Sequence, residues 1–470
     1  MNTHMKSATA PITLGEKIRY VIGCSGFPYA VLMFSGVITY YFTDVLGISA
    51  AAAGTLLLVA RIWDGINDPM MGMIVDRTHT RWGKCRPYIL VGGILLAIFT
   101  FLLFTNPGIE SEGGKLAWAY FTYIGFGMTY TMFGMSLRLF VSRLTQNRHE
   151  ITAMSSLSFI GTSICSTFAA LTLIKFISLF AGEDGNQAKG YSGVAMVAAI
   201  LLLVTAVVLA SVKERDLDST DIHSQEKPSM GASLKTLVTN KPFIGFCIAS
   251  AIVYVGYYLA ASTLMYYCVY NLGSADYYTP LTFVDYGAPI VAALAIPPLT
   301  KKFGKKSIII TAFIGIAIGY GLRYITGDQS VFVMVALATV AGISVGFWNV
   351  IFTPTSLDCA LYSEYKTGVK ADALFVTSFT LLTKVASGLA GALLGFILDG
   401  VGYVPNAPEQ SETALTALRI CATLGAALAA VVALVVFVLM YTLKDKELDR
   451  MNAELHGQQV QQAEQEEQEV

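Results

Sequence analysis

The chain has 470 residues, of which 54% are hydrophobic and only 13% are charged, and its formal net charge is -1. Its mean hydropathy of +0.60 excludes an ordinary soluble protein, because so much apolar surface could not be hidden in a water-soluble core. We therefore expect a membrane protein, and neither the net charge nor the basic loops indicate a nucleic-acid partner.

Twelve apolar runs follow one another along the chain, each near or above the roughly 20 residues that cross a hydrocarbon core of about 30 Å. The runs are continuously hydrophobic rather than alternating, which favours helices over a β-barrel. The predicted fold class is therefore an all-α membrane protein with twelve transmembrane helices. The predicted spans are residues 20–43, 48–75, 87–106, 116–143, 152–182, 193–212, 241–271, 278–299, 306–325, 331–356, 370–400 and 414–442.

A long polar segment divides these runs into two groups of six. The segment KERDLDSTDIHSQEKPSMGASLKTLVTNKP is charged and long enough to link two six-helix units. A short internal sequence similarity supports the division, because TRWGKCRPYIL follows the second span and KKFGKKSIII follows the eighth. Parallel halves of this kind predict a major facilitator fold with a substrate cavity near the midplane. The predicted parts are the N-terminal half 1–212, the middle loop 213–240, the C-terminal half 241–443 and a disordered tail, 444–470.

The charges between the spans predict the orientation. Cation-rich segments alternate along the loops with acidic or neutral ones such as GIESEGGK and TGDQS. By the positive-inside rule, both termini and the middle loop face the cytoplasm. We expect a multi-pass protein of the cytoplasmic (inner) cell membrane that works as a monomer. The cation-rich segments are residues 77–87, 143–150, 301–306, 364–370 and 444–450.

The stretch ARIWDGINDP puts three charged residues into the second span. Asp64 and Asp68 are four residues apart and project from one helix face, with Asn67 one turn from Asp64. Buried carboxylates repel one another and require a cation, a proton or a partner, and their hard oxygens suit a small hard cation. In the alternative interpretation, Arg61 pairs with one acid and the cluster only locks helices together. We favour a functional role, because ionisable groups inside a span are functional by default.

The residues around this stretch resemble a known family. ARIWDGINDPMMGMIVDRTHTRWGKCRPYIL, together with YYFTDVLGIS, GMTYT and SEYKTGVK, is similar to the glycoside-pentoside-hexuronide cation symporters. The resemblance implies a twelve-helix major facilitator fold that couples sugar uptake to the entry of sodium, protons or lithium. It also implies a cation site of Asp64, Asn67, Asp68 and Thr131, with Lys384 of the eleventh span close by. Lys384 would sense occupancy of the site, form a salt bridge to one of the same aspartates, or do both.

The sugar-binding residues of the family are missing from this chain. Sugar-binding members carry aspartates at the positions of Pro28 and Gly134, and an aromatic residue at the position of Arg138. An intact galactoside-type site is therefore not expected. Arg138 could pair with a carboxylate or a sulfonate, or its side chain could snorkel to the cytoplasmic end of its helix. Tyr257 and Tyr258 of the seventh span could stack on a solute, although such tyrosines are more often packing or interface residues.

The predicted function is cation-coupled symport of a glycoside or uronide-like carbohydrate, with an anionic solute as the favoured case. Arg61 and Lys384 are the predicted coupling residues, and the alternative is a lipid-like or other non-sugar solute on the same fold. An enzyme is not expected, because the sequence contains no recognisable nucleophile-base pair or metal cluster. The predicted partners are a solute, the bilayer and a coupling cation, sodium or a proton, with no further cofactor. The seven cysteines form no paired motif and are expected to be packing residues.

Overall fold

The computed structural model describes residues 12–33, 37–77, 80, 82–145, 148–214, 230–326, 330–369, 372–445, 447–448, 450–451 and 454. Within these ranges the chain is almost entirely helical, and the described residues form no β-strand. We number the α-helices α1 to α16 in chain order.

The helices of the first sequence half are α1 (Leu14–Ser25), α2 (Phe27–Leu32), α3 (Ile38–Tyr40), α4 (Ala50–Arg77), α5 (Arg86–Leu103), α6 (Glu112–Phe140), α7 (Arg148–Ala181) and α8 (Gln187–Ala210). Those that follow are α9 (Met230–Thr239), α10 (Lys241–Tyr266), α11 (Tyr278–Phe303), α12 (Lys305–Thr326), α13 (Val331–Thr367), α14 (Asp372–Gly400), α15 (Glu412–Arg419) and α16 (Gly425–Met440). Short π-helical turns extend three helices, at Tyr41–Val45, Tyr267–Asn271 and Ile420–Leu424.

Nine helical segments in the described ranges are long and apolar enough to cross a membrane, judged by length and composition. They match nine of the twelve predicted spans. The other three predicted spans are helical as well, but each differs from a simple apolar helix. The first is divided into short helices, the second (α4) has three charged residues in its middle, and the fourth (α6) is rich in glycine, threonine and tyrosine.

The first predicted span is not one continuous helix. Pro28 occupies the first turn of α2, where its missing N–H leaves no unsatisfied bond, so α1 ends at Ser25 and α2 begins at Phe27. Gly26 lies at this break, and a Cβ there would be 2.1 Å from Thr205 Oγ1 of α8. Only glycine permits such a close approach, so the break is held against α8.

The middle segment, predicted as a loop, contains the ten-residue helix α9. Asn240 separates α9 from α10 and fixes the junction. Its Oδ1 accepts a hydrogen bond from the Phe243 N–H at 3.0 Å, and its Nδ2 donates to the Cys359 carbonyl oxygen at 2.7 Å. The last part of the predicted middle loop, 213–240, is therefore helical, and its role as the cytoplasmic link between the two halves stays a prediction.

The described chain forms two compact units. Unit 1 comprises residues 1–222, 261–286 and 388–422, and unit 2 comprises residues 223–260, 287–387 and 423–470. The units are defined by spatial contacts rather than by chain order. The predicted boundaries of the two sequence halves, 1–212 and 241–443, stay a prediction.

In unit 1, the turn before α5 is fixed by an acid that follows the sixth predicted span. The Glu214 carboxylate accepts hydrogen bonds from the backbone N–H groups of Lys84, Cys85 and Arg86 at 2.8, 2.8 and 2.6 Å. These are unpaired donors of a helix start, which an anion stabilises. Gly83, with φ +106°, lies against the same carboxylate, and a Cβ there would be 2.5 Å from it. The basic turn therefore needs both its glycine and the acid.

In unit 2, the corresponding turn before α12 has a similar arrangement. Gly304 has φ +76°, and a Cβ there would lie 2.2 Å from Asp445 Oδ2. Lys306 Nζ donates to the Tyr441 carbonyl oxygen at 2.8 Å. The tail thus begins with a fixed acid, and residues 445, 447, 448, 450, 451 and 454 are helical. The remainder of the predicted disordered tail, from residue 455, lies outside the described residues.

The core of unit 2 is aromatic. Trp348 of α13 is fully buried, and neighbouring rings surround it at centroid distances of 4.8 to 6.4 Å. All seven cysteines are free thiols and five of them are buried, which agrees with the predicted packing role. The rings around Trp348 belong to Phe246, Tyr254, Phe313 and Phe352.

Candidate functional site

The predicted acids of α4 lie in unit 1 and face α6. Arg61 Nη1 donates to Asp64 Oδ2 at 3.0 Å, and both side chains are largely buried. One turn further along α4, Asp68 Oδ1 accepts a hydrogen bond from Thr131 Oγ1 at 2.8 Å. Thr131 is buried on α6. The structure therefore brings together the predicted ligand on α6 and the two predicted acids on α4.

Two further residues of α6 contact this cluster and were not predicted from the sequence. The Tyr123 hydroxyl is hydrogen-bonded to the Arg61 guanidinium, and the tyrosine is buried. Gly127 faces Asp64, and a Cβ at this position would lie 3.0 Å from Asp64 Oδ1. The absence of a side chain at Gly127 therefore makes room for the Asp64 carboxylate.

These contacts form a regular series along two parallel helices. On α4 the contacting residues are Arg61, Asp64 and Asp68, and their partners on α6 follow in the same order at intervals of four residues. Steps of three or four residues return to one helix face, so each helix presents a single edge to the other. The three partners on α6 are Tyr123, Gly127 and Thr131.

Asn67 lies within the same turn of α4 as Asp64 and Asp68. It is buried, and its side-chain amide nitrogen, a donor, has no hydrogen-bond partner within the described ranges. A buried polar group without a partner costs about 1–3 kcal/mol. The unpartnered atom is a donor, so a cation at this site would be bound by the amide oxygen of Asn67 and not by this nitrogen.

The oxygens of this cluster are the ligand types that a small hard cation prefers. The candidate ligands are the carboxylates of Asp64 and Asp68, the amide oxygen of Asn67 and the hydroxyl of Thr131, of which the last donates to Asp68. Among the described residues, no three His, Cys, Asp or Glu side chains are grouped in a way that could hold a metal ion.

Arg61 also contacts the helix that carries Lys384. A Cβ at Gly388 of α14 would lie 2.5 Å from Arg61 Cγ, so the arginine stem packs directly on this glycine. Gly388 belongs to unit 1 and is one helical turn after Lys384 in the chain. The coupling role of Lys384 itself stays a prediction.

The structure brings the two positions of the missing carboxylates close to one aromatic ring. Gly134 of α6 is buried, and a Cβ there would be 3.6 Å from Phe27 Cζ. Phe27 immediately precedes Pro28, which is also buried. Pro28 and Gly134 are therefore both neighbours of the same phenylalanine, and neither position carries a charge.

Aromatic rings occupy this region in place of carboxylates. Phe27 stacks on Tyr130 with ring centroids 4.8 Å apart, and it contacts Phe133 at 5.6 Å. Tyr130 directly precedes Thr131 of the cation cluster, so the aromatic surface and the candidate cation site share one turn of α6. We call Phe27, Tyr130 and Phe133 the aromatic wall.

The other residues predicted to bind the solute are Arg138, Tyr257 and Tyr258. Arg138 lies in α6, one turn after Gly134, and its side chain is outside the described part of the structure. Tyr257 and Tyr258 of α10 pack on one another at 5.4 Å and against the aromatic core of unit 2. Tyr258 also stacks on Tyr254 at 6.0 Å. The two tyrosines thus have a packing role, and their role in solute binding stays a prediction.

Comparisons with known proteins agree with this geometry. The model of a family described as MFS/sugar transport protein matches residues 20–445. The isoprimeverose transporter of Lactiplantibacillus pentosus is 34% identical over 400 residues, which cover 83% of this chain and 81% of that protein. The glucuronide carrier protein homolog of Escherichia coli (strain K12) is 28% identical over 405 residues, with 85% and 86% covered.

A solved structure has the same fold. The crystal structure of a mutant of the nucleoside transporter NupG is similar with a TM-score of 0.69 and 13% sequence identity, covering 91% of this chain and 100% of that one. At this identity, the similarity concerns the fold alone.

Proposed function

Because the chain belongs to the MFS/sugar transport protein family, of the glycoside-pentoside-hexuronide cation symporter type, we propose that it carries a glycoside or uronide-like carbohydrate together with sodium or protons. The family is one of membrane transporters, which confirms the predicted fold class and the prediction that the protein is not an enzyme. The observation that carries the proposal is the series of contacts between α4 and α6, in which Arg61 pairs with Asp64 and the Thr131 hydroxyl donates to Asp68.

The charges of the cluster support a stoichiometry of one cation. The guanidinium of Arg61 and the two carboxylates together leave one negative charge, which one sodium ion or one proton neutralises. Arg61 holds the position of the Asp64 carboxylate, and the Thr131 hydroxyl orients Asp68. When the cation leaves, Lys384 restores neutrality by taking its place near the acids. Exchange between two positive partners keeps buried carboxylates compensated in both states.

The aromatic wall provides the link between cation and solute. Sugar rings present apolar C–H faces that stack on aromatic side chains, and Tyr130 and Phe27 are half-buried rings of this kind. Because Tyr130 and Thr131 are adjacent in α6, binding of the cation fixes the same helical turn that contacts the solute. Each ligand then lowers the cost of binding the other, which is the differential affinity that symport requires.

The solute class follows from what replaces the family's carboxylates. Pro28 and Gly134 remove two negative charges that would repel an anion, and Arg138 adds a positive charge on the same helix as Gly134. We therefore propose that a uronide is carried in preference to a neutral galactoside. The glucuronide carrier protein homolog among the relatives supports a solute of this class.

The aromatic wall also favours a second candidate, a lipid-like solute. Phe27 and Phe133 make the region around Gly134 apolar, and apolar surface binds acyl chains as readily as sugar faces. A lysolipid that competes for uptake while glucuronides do not would favour this candidate.

Orientation and assembly belong to the same proposal. The protein is a multi-pass membrane protein, and we place it in the cytoplasmic membrane with both termini inside, working as a monomer. The alternation of basic and neutral loops supports this orientation.

Uptake into right-side-out membrane vesicles tests the function. We expect accumulation of a glucuronide or glycoside above equilibrium when an inward sodium or proton gradient is applied. Asp68→Asn should abolish accumulation, because it removes the charge that the cation neutralises. Asp184→Asn changes an exposed acid of a loop and should leave accumulation unchanged. Gradient-driven accumulation at full level in the Asp68→Asn protein would contradict the cation site.

A further inference from the structure

Asp44 lies at the end of α3, in the π-helical turn Tyr41–Val45, and is only 5% exposed. It belongs to unit 1. Helix α4 begins just after Asp44 and runs past Asp64 to the turn at Gly83, so Asp44 lies at the opposite end of α4 from that turn. At 1.5 Å per residue, about 20 Å of helix separates the start of α4 from Asp64. Asp44 is therefore not part of the candidate cation site.

The Asp44 carboxylate accepts hydrogen bonds from neutral donors. Thr43 Oγ1 donates to Oδ2 at 2.6 Å, and the Tyr403 hydroxyl donates to both oxygens at 2.7 and 2.8 Å. The Tyr270 hydroxyl and the Asn406 N–H donate to Oδ1, the latter at 3.2 Å. Within the ranges that the structure describes, no lysine, arginine or histidine forms an ion pair with Asp44. The buried charge is thus stabilised by hydroxyl and amide donors.

Further bonds fix the same groups in place. Asn406 Nδ2 donates to the Asp44 backbone carbonyl oxygen, and the Thr43 hydroxyl lies 2.7 Å from the Tyr266 hydroxyl. Asn406 has φ +56°, in the left-handed region, and among the described residues it is the only non-glycine with a positive φ. Asparagine adopts this conformation more readily than most residues. The strained backbone directs both the N–H and the side-chain amide of Asn406 at Asp44.

The donors come from parts of the chain that are distant in sequence. Tyr270 is 226 residues from Asp44, and Tyr403 is 359 residues from it. They lie in 261–286 and 388–422, the two segments of the second sequence half that belong to unit 1. In an alternating-access carrier, the solute enters between the two halves from each side in turn. Bonds that join the halves at one end must therefore break before that end can open.

We propose that Asp44 is a latch for transport, which holds this end of the carrier closed through its hydrogen bonds to Tyr270, Tyr403 and Asn406. The inference rests on the proposed function, which places this end outside the cell. On opening, water replaces the donors, so the carboxylate never remains unsolvated. The latch sets the balance between the outward-closed and outward-open states, and Asp44 acts on transport as a positioning residue without touching cation or solute.

A buried reporter cysteine tests the latch. Thr263 is fully buried and lies on the same face of α10 as Tyr266, one turn away. In a protein whose seven native cysteines are replaced, Thr263→Cys should react slowly with an impermeant maleimide. Adding Asp44→Asn should speed this reaction about tenfold, which corresponds to about 1.4 kcal/mol. Tyr403→Phe, which removes one donor and keeps the ring, should change the rate in the same direction.

The matched control is Asp276→Asn. Asp276 is an exposed aspartate of unit 1 that contacts Ser274 and not the latch, so the same chemical change there should leave the labelling rate unaltered. Uptake kinetics provide a second readout. Because the outer end closes less readily in Asp44→Asn, the maximal rate should fall several-fold, whereas the half-saturating solute concentration outside should stay constant or decrease.

The outcomes separate the latch from the proposed function. Unchanged labelling in Asp44→Asn, or equal acceleration in Asp276→Asn, would overturn the latch. Acceleration that occurs only with reagent on the cytoplasmic side would support the latch and overturn the proposed orientation. If Asp44→Asn does not reach the membrane, the labelling rate in Tyr403→Phe is used instead: faster labelling supports the latch and an unchanged rate overturns it.

Discussion

The hydroxyl of Thr131 permits a sharp test of the candidate cation site. Thr131→Val keeps the branched shape and removes the hydroxyl that donates to Asp68 at 2.8 Å. A buried hydrogen bond to a charged group contributes about 1.5–3 kcal/mol, or about 10- to 150-fold in an equilibrium constant. In the loaded state the same oxygen would be a cation ligand, and the losses in the two states partly cancel. We therefore expect the half-saturating cation concentration to rise about tenfold.

The measurement is the initial rate of solute uptake as a function of cation concentration in right-side-out vesicles. Thr131→Ser retains the hydroxyl, so its half-saturating cation concentration should stay within about threefold of that of the native protein. The small cavity left by the missing methyl group costs little compared with the loss of a ligand. Thr129→Val is the matched control. Thr129 is also buried on α6, but its hydroxyl bonds only to the backbone carbonyls of Gly125 and Phe126. An unchanged cation dependence in Thr131→Val, or an equal change in Thr129→Val, would refute the assignment.

Two further predictions concern glycine packing and the turn before α5. Gly127→Ala places a Cβ 3.0 Å from Asp64 Oδ1, so the carboxylate must shift and the half-saturating cation concentration should rise roughly fivefold, or about 1 kcal/mol. A Cβ at Gly113 of the same helix would lie in open space, so Gly113→Ala should leave the half-saturating cation concentration unchanged. Glu214→Gln weakens the acceptor for three backbone N–H groups, and thermal unfolding in detergent should show a Tm lower by a few degrees, whereas Glu110→Gln at an exposed position should not.

The fold could be predicted from the sequence because the signal is repeated many times. Apolar runs of about 20 residues allow few structures in lipid, so the positions of nearly all helices follow from hydropathy. The break between α1 and α2 could not be located in this way, because a hydropathy average passes over Gly26 and Pro28. Its position depends on the contact of Gly26 with Thr205, which is a tertiary feature.

The candidate cation site was predictable from residue spacing on α4, whereas on α6 only Thr131 was predicted, and that through the family resemblance. The spacing of Asp64 and Asp68 places them on one face whatever the surroundings, since it follows from helix geometry alone. The opposing edge of α6 depends on how two helices align, and single-sequence patterns do not contain that register. Tyr123, Gly127 and Thr131 recur at intervals of four, but glycine, tyrosine and threonine are common in membrane helices, so the spacing alone does not single them out.

Asp44 belongs to the segment YYFTDVLGIS, but the sequence does not indicate its role. Its hydrogen-bond donors are neutral residues, Tyr270, Tyr403 and Asn406, each more than 200 residues away. Charge patterns reveal ion pairs, because acids and bases can be matched by sign. A carboxylate held by hydroxyl and amide donors leaves no such pattern, and only the packed structure identifies it.

The similarity between the two halves includes more than their basic turns. Each turn glycine lies against an acid that follows the sixth span of its half: Gly83 against Glu214 and Gly304 against Asp445. In both halves a basic side chain donates to the carbonyl oxygen four residues before that acid, from Arg86 Nε to Ala210 and from Lys306 Nζ to Tyr441, both at 2.8 Å.

The sequence around the two acids is correspondingly similar, VKERDLD at 212–218 and LKDKELD at 443–449. A basic turn at a helix start gathers positive charge from its side chains and from the helix dipole, and an acid on a neighbouring segment compensates both at once. This requirement is the same in each unit, and each half has an acid at the corresponding position although the turns differ in sequence. Exchanging the two acids, with Glu214→Asp and Asp445→Glu in one protein, should therefore preserve the Tm, whereas the paired amides Glu214→Gln and Asp445→Asn should lower it more than either change alone. A Tm that falls in the exchanged protein and is preserved in the amidated protein would show that size, and not charge, is what these positions require.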